Sequence, residues 1–106
     1  MDTNVVRIGG DRVRFTVPVD WGREQAEGDL VEFDLAVIPE PWPDGRHGEG
    51  VWVCDPITGY RFTSASTREK ALSSLNALVE LMGGRTLFEQ HLQLRRTKDF
   101  RTRVEP

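Results

Sequence analysis

Cysteine is almost missing from this chain: Cys54 is the only one in 106 residues. A lone thiol closes no internal disulfide, and with two histidines far apart in the sequence it makes no zinc-ligand spacing. Packing must therefore hold the fold together. Also missing is any run of about 18 apolar residues, and the opening MDTNVVRIGG lacks the charged-then-apolar layout of a secretory signal. The expectation is a cytoplasmic protein with no membrane association. No internal repeat occurs, no low-complexity tract beyond one Pro/Gly stretch, and no specific catalytic or ligand motif.

What is present suits a single small domain. Hydrophobic residues make up 38% and charged residues 29%, a balance that can bury one core and argues against wholesale disorder. The net charge of -3 conceals an asymmetry. Residues 1–50 carry 11 acidic and 5 basic side chains, or -6, whereas 51–106 carry 6 acidic and 9 basic, or +3. The halves suit partners of opposite sign, or each other.

Val5 to Ile8 and Arg12 to Val17 are β-rich runs joined by Gly9-Gly10-Asp11, which predicts a hairpin. Val13, Phe15 and Val17 fall on one face of the second run, Arg12, Arg14 and Thr16 on the other, and Pro18 is expected to end it. Asp20 to Asp29 is polar with Gly22 and Gly28 as breakers, so a loop is expected, with Trp21 its only large apolar group. Leu30 to Ile38 is the longest strand candidate. There Val31, Phe33, Leu35 and Val37 share one face, and Glu32, Asp34 and Ala36 the other. The Pro/Gly-rich Pro39–Gly50 predicts a long irregular exposed connection. Val51–Cys54 and Tyr60–Thr63 read as short strands about an Asp-Pro-Ile-Thr-Gly turn.

Ser66 with Glu69 fits a capping box. Beyond it Ala71, Leu72, Leu75, Leu78, Val79 and Met82 recur at helical spacing, and Gly83-Gly84 supplies the stop. Burying five large apolar side chains at about 2 kcal/mol each outweighs the roughly 1 kcal/mol of a cap, so packing forms this helix and the cap sets its start. Residues 87–95 fit a two-turn helix opened by Thr86 and Glu89, with strand alternation as the alternative. The fold class expected is α+β: an antiparallel sheet of about five strands covered on one face by one main helix over about 67–82. Residues 1–94 form the domain, and 95–106 are expected to be a flexible basic tail.

Two stretches carry resemblances to known families. FDLAVIPEP, GVWVCDP, ITGY and STREKAL, within Phe33 to Gly83, resemble in order the strand, strand, turn-strand and helix opening of HicB-type antitoxins. That resemblance implies a sheet-plus-helix module related to a partial ribonuclease-H or double-stranded-RNA-binding fold. VVRIGGDRVRFTVPVD followed by EGDLVEFDL resembles the AbrB or MazE type of swapped-hairpin DNA-binding barrel, which implies a dimeric regulator. The segment 30–38 cannot serve both folds, so these are alternatives, although both families contain antitoxins and repressors.

The leading expectation is a small non-catalytic protein that neutralises or regulates a protein partner, in the manner of an antitoxin, immunity protein or phage-encoded inhibitor. Its candidate partner-binding residues are Glu27, Asp29, Glu32 and Asp34, which together with Glu24 make an acidic surface that steers a basic partner, and Trp42 as an interface anchor. Trp52 reads as core. The alternative is the DNA-binding regulator, using Arg12 and Arg14 with the tail residues Arg95, Arg96, Lys98, Arg101 and Arg103 on phosphates. A structural subunit pairing through its sheet edges is a third reading, and a homodimer is left open. A Cys54–His47 pair oriented by Asp55 or Glu49 requires choosing the fold to suit it, and His47, Glu49, Asp55 and His91 lack metal-ligand spacing. No catalytic residue, metal or cofactor is expected.

Overall fold

The computed structural model describes the backbone of residues 5–104 and the side chains of residues 5–97. Six strands, β1 (Val6–Gly9), β2 (Arg12–Val19), β3 (Gly22–Leu30), β4 (Ala36–Pro41), β5 (His47–Cys54) and β6 (Arg61–Ala65), form one antiparallel sheet in the order β1-β2-β3-β4-β5-β6. Two helices follow, α1 (Arg68–Leu81) and α2 (Arg85–Val104). The α+β class is as expected, with six strands in place of about five, and the second helix expected over 87–95 is present.

Leu35, Ala36, Val37 and Ile38 are all buried in succession, so the start of β4 is covered on both faces. Val37, with Val53 of β5, packs under Ala71, Leu75 and Val79 of α1 and Phe88 and Leu92 of α2. Ala36, Ile38 and Cys54 point the other way and meet Val13, Phe15 and Val17 of β2. Such two-sided burial requires the sheet to curl. β2 and β3 pair along their whole length, from Arg12↔Asp29 to Val19↔Gly22, but β3 and β4 pair only at Asp29↔Val37 and Leu30↔Ala36. The crease between them lies at Gly28, where any Cβ would collide with the Val37 carbonyl oxygen; only glycine lets two backbones approach so closely. Across the curl the β5–β6 turn comes to rest on β2, and a Cβ on Gly59 would lie 2.8 Å from the Thr16 carbonyl oxygen.

Several expectations are corrected. The stretch 20–29 is no loop: Asp20-Trp21 form a hairpin turn and β3 begins at Gly22. Its inward positions before Leu30 are Glu24, Ala26 and Gly28, too small or polar to give the apolar alternation that marks a strand. The single strand expected over 30–38 is broken by a short 3-10 turn, Glu32–Asp34, in which Phe33 and Asp34 take φ of 63° and 57°. Val31, Phe33, Leu35 and Val37 still reach the helix-side core. The stretch Pro39–Gly50 is largely a hairpin, with Pro39↔Val51 and Pro41↔His47 paired across a bulge. Its prolines are tolerated because β3 leaves β4 unpaired beyond Val37, and a free edge needs no N–H donor. The same reason lets β2 continue through Pro18 to Val19, since β1 pairs it only as far as Arg14.

The α1 cap is Thr67, one residue after the expected Ser66: its Oγ1 accepts the Lys70 N–H at 3.2 Å. The expected buried stripe is present, and the helix ends as the Gly84 N–H donates to the Val79 carbonyl at 2.9 Å. α2 takes up residues 87–95 as helix and runs on to Val104, so most of the expected tail continues a regular element. Among the described residues no helix is long and apolar enough to cross a membrane.

Candidate functional site

The curl brings four separate stretches to one side of the molecule: the β2–β3 turn, the tip of the β4–β5 hairpin, the middle of β5 and the entry to β6. They line an open groove of about 820 Å³ that holds all three tryptophans and the one tyrosine of the chain, Trp21, Trp42, Trp52 and Tyr60. Pro18, Pro41 and Pro43 complete its apolar lining. Trp21, Trp42 and Tyr60 are 44%, 50% and 42% exposed, a concentration of bare aromatic surface uncommon outside binding sites.

Each ring is held in place. The Trp21 indole N–H donates to Glu24 Oε2 at 2.7 Å. Trp42 begins the hairpin tip, where its backbone N–H donates to the Arg46 carbonyl at 3.0 Å, and its indole lies over Gly48, which has no side chain to obstruct it. Arg61 stacks 4.7 Å above Trp52, and Arg95 stacks 3.9 Å from the Tyr60 ring centre, whose edge meets Phe62. Asp20 and Glu40 put carboxylates in the wall, and Arg61 puts a cation there. Rigid rings with donor edges in an acidic setting bind by stacking, hydrogen bonding and charge.

Of the residues expected to bind a partner, only Trp42 lies in this groove. Glu27 and Asp29 sit beside Arg14 and Arg12 across the β2–β3 ladder: Arg14 Nε donates to Glu27 at 3.1 Å and Arg12 to Asp29 at 3.4 Å, with Arg68 reaching Asp29 at 3.7 Å. Glu32 is paired with Arg85 at 3.0 Å, and that guanidinium also stacks on Phe33. Asp34 lies on the 3-10 turn, away from any strand face. The acidic surface and the Arg12–Arg14 surface therefore neutralise each other through exposed pairs, each worth about 0–1 kcal/mol. Asp34 instead borders a second hollow of about 780 Å³ along α2, which is lined largely by long polar side chains such as Glu89, Gln90 and Gln93. Trp21, Tyr60 and the exposed part of Trp52 escaped the sequence reading because no local spacing links them; their placement beside Pro- and Gly-rich turns was the one available signal.

Two of the tail arginines, Arg95 and Arg96, make contacts within the fold. Arg96 donates through Nε and Nη2 to both oxygens of Asp55 at 3.0–3.2 Å, and Asp55 also accepts the Ile57 N–H and the Thr58 hydroxyl, each at 3.1 Å. Asp55 is fully buried. Lys98, Arg101 and Arg103 belong to α2, but their side chains lie outside those described. Cys54 and His47 occupy opposite ends of β5, roughly 23 Å apart at 3.3 Å per residue, so no triad forms.

Burial pushes the Cys54 thiol up to about 12, with the Asp55 charge adding to the rise and Arg61 opposing it. At neutral pH it is a protonated, inert core group. A thiol-specific reagent at pH 8 is expected to leave the native protein unmodified and to label one equivalent after denaturation; rapid labelling of the native state would contradict this burial. The native state keeps a proton that the unfolded chain releases above pH 9. The contribution of Cys54 is therefore intact below pH 9 and falls as pH rises from 9 towards 12.

No family model, curated protein or solved structure matches the chain.

Proposed function

We propose that this chain is a small, non-catalytic, cytoplasmic interaction protein that neutralises or regulates a protein partner, as an antitoxin, immunity protein or inhibitor does, and that it holds the partner in the tryptophan groove. One observation carries this reading: Trp21, Trp42, Trp52 and Tyr60, far apart in sequence, converge in a single open groove where three of them remain substantially exposed. Tryptophan and tyrosine present large, rigid contact areas at low entropic cost, which is why they dominate interface energetics. The DNA-binding alternative draws less support from the same geometry. Arg12, Arg14 and Arg96 are committed to carboxylates, and the Arg95 guanidinium is stacked on Tyr60.

Affinity capture from host extract tests the proposal. Trp21→Ala and Trp42→Ala, both at exposed positions, are expected to retain the fold and to weaken stoichiometric capture of one protein at least about tenfold. Charge reversal at Glu32 and Asp34 is expected to leave capture intact. Undiminished capture by both tryptophan variants, or salt-sensitive binding of duplex DNA in its place, would sink the proposal.

A further inference from the structure

We infer that the occupant of the tryptophan groove is an extended, proline-rich segment of the partner with an arginine or lysine next to its prolines. The inference rests on the protein-binding reading and adds the chemistry of the ligand.

Four observations lead to it. First, the backbone along the groove is poor in ladder donors: Pro18, Pro41 and Pro43 border it and have no N–H, so an incoming β-strand would find few partners there. A polyproline II segment needs no ladder. Second, such a segment makes no internal hydrogen bonds and leaves its carbonyl oxygens free. The Trp52 indole N–H and the Tyr60 hydroxyl, on two residues that line the groove, are matching donor groups for them. Third, proline rings are flat, apolar and already ordered, so stacking them on indole faces immobilises little. Fourth, the open charges of the wall are acidic. Asp20 and Glu40 stand in it, whereas the two guanidiniums at the groove are stacked on its rings, Arg61 on Trp52 and Arg95 on Tyr60, which leaves the carboxylates to meet a basic residue of the ligand. The same charge disfavours single-stranded nucleic acid, which needs a positive groove around its stacking platforms.

The intrinsic tryptophan fluorescence of the full chain tests this directly, because every tryptophan lies in the groove. The probes are a peptide of about ten residues, free of aromatics, with proline at every third position and arginines at its ends; a twin with alanine for proline; a twin with glutamate for arginine; and a linear gluco-oligosaccharide. A polyproline II peptide of that length spans roughly 31 Å. The Pro/Arg peptide is expected to give saturable binding, with each twin at least about tenfold weaker. Trp42→Ala is expected to weaken it at least about tenfold, and Asp20→Asn with Glu40→Gln to erase the preference for arginine over glutamate. Binding that weakens as salt rises fits the same account. Equal binding of the alanine twin, no saturation by the Pro/Arg peptide, or saturation by the oligosaccharide alone would overturn the inference. Competition separates this failure from that of the broader reading: if capture of the protein partner depends on Trp42 yet the Pro/Arg peptide does not displace it, the partner site stands and the proline-rich ligand is wrong.

Discussion

Replacing Arg96 with alanine is expected to lower the unfolding free energy by about 3–5 kcal/mol, the cost of leaving one member of a buried ion pair without the other. Asp55 is fully buried and the Arg96 side chain only 14% exposed, so water cannot replace the lost guanidinium. The carboxylate would keep only the Ile57 N–H and the Thr58 hydroxyl. Lysine is expected to rescue little, because the fork that reaches both Asp55 oxygens cannot be copied by a single ammonium. Asp55→Ala should be comparably damaging, since it strands the guanidinium and the turn's own donors together. Urea denaturation at pH 7 followed by far-UV circular dichroism measures these losses. A cost below about 1 kcal/mol for Arg96→Ala would show that the pair holds nothing.

Phe88→Ala is expected to cost about 3–5 kcal/mol, the usual range for emptying a fully buried aromatic site. The Phe88 ring is completely buried, with its centre 4.8 Å from that of Phe33 and 5.5 Å from that of Phe62. Only Phe88 and Leu92 of α2 enter the apolar core on the described part of the helix, so little can close over the cavity. Leu87→Ala, one position away and 51% exposed, should change stability by no more than about 0.5 kcal/mol. Phe88 and Arg96 grip the same helix two turns apart. The double variant is therefore expected to lose less than the sum of the singles, because a helix already released has less left to lose. Full additivity would mean that the two contacts act independently.

Features set by short-range interactions were legible in the sequence, and those set by long-range ones were not. In β2 and at the Cys54 end of β5, the alternation of Val13, Phe15 and Val17, and of Val53 against Trp52 and Cys54, placed each side chain on its observed face. The same holds for the stripe of α1. In 30–38 the alternation named the right core residues while the backbone was misread, since a 3-10 turn can deliver Phe33 and Leu35 to the core as well as a strand can. β3 was illegible because its inward residues before Leu30 are small or polar. The pairing of the acidic face was illegible for a different reason: Glu27 and Asp29 meet Arg14 and Arg12 only across the β2–β3 ladder, and no spacing within 20–29 encodes that.

By itself the sequence determined the α+β class, the faces of its most regular elements, the site of the helix start to within a residue, and the absence of a disulfide. These follow from periodicities and hydrogen bonds spanning a few residues. The tertiary structure decided the rest: the crease at Gly28 that makes β4 two-sided, the Asp55–Arg96 latch across 41 residues, and the meeting of Trp21, Trp42, Trp52 and Tyr60 in one groove. Each depends on which strand pairs with which and in what register, and no local spacing along the chain encodes that.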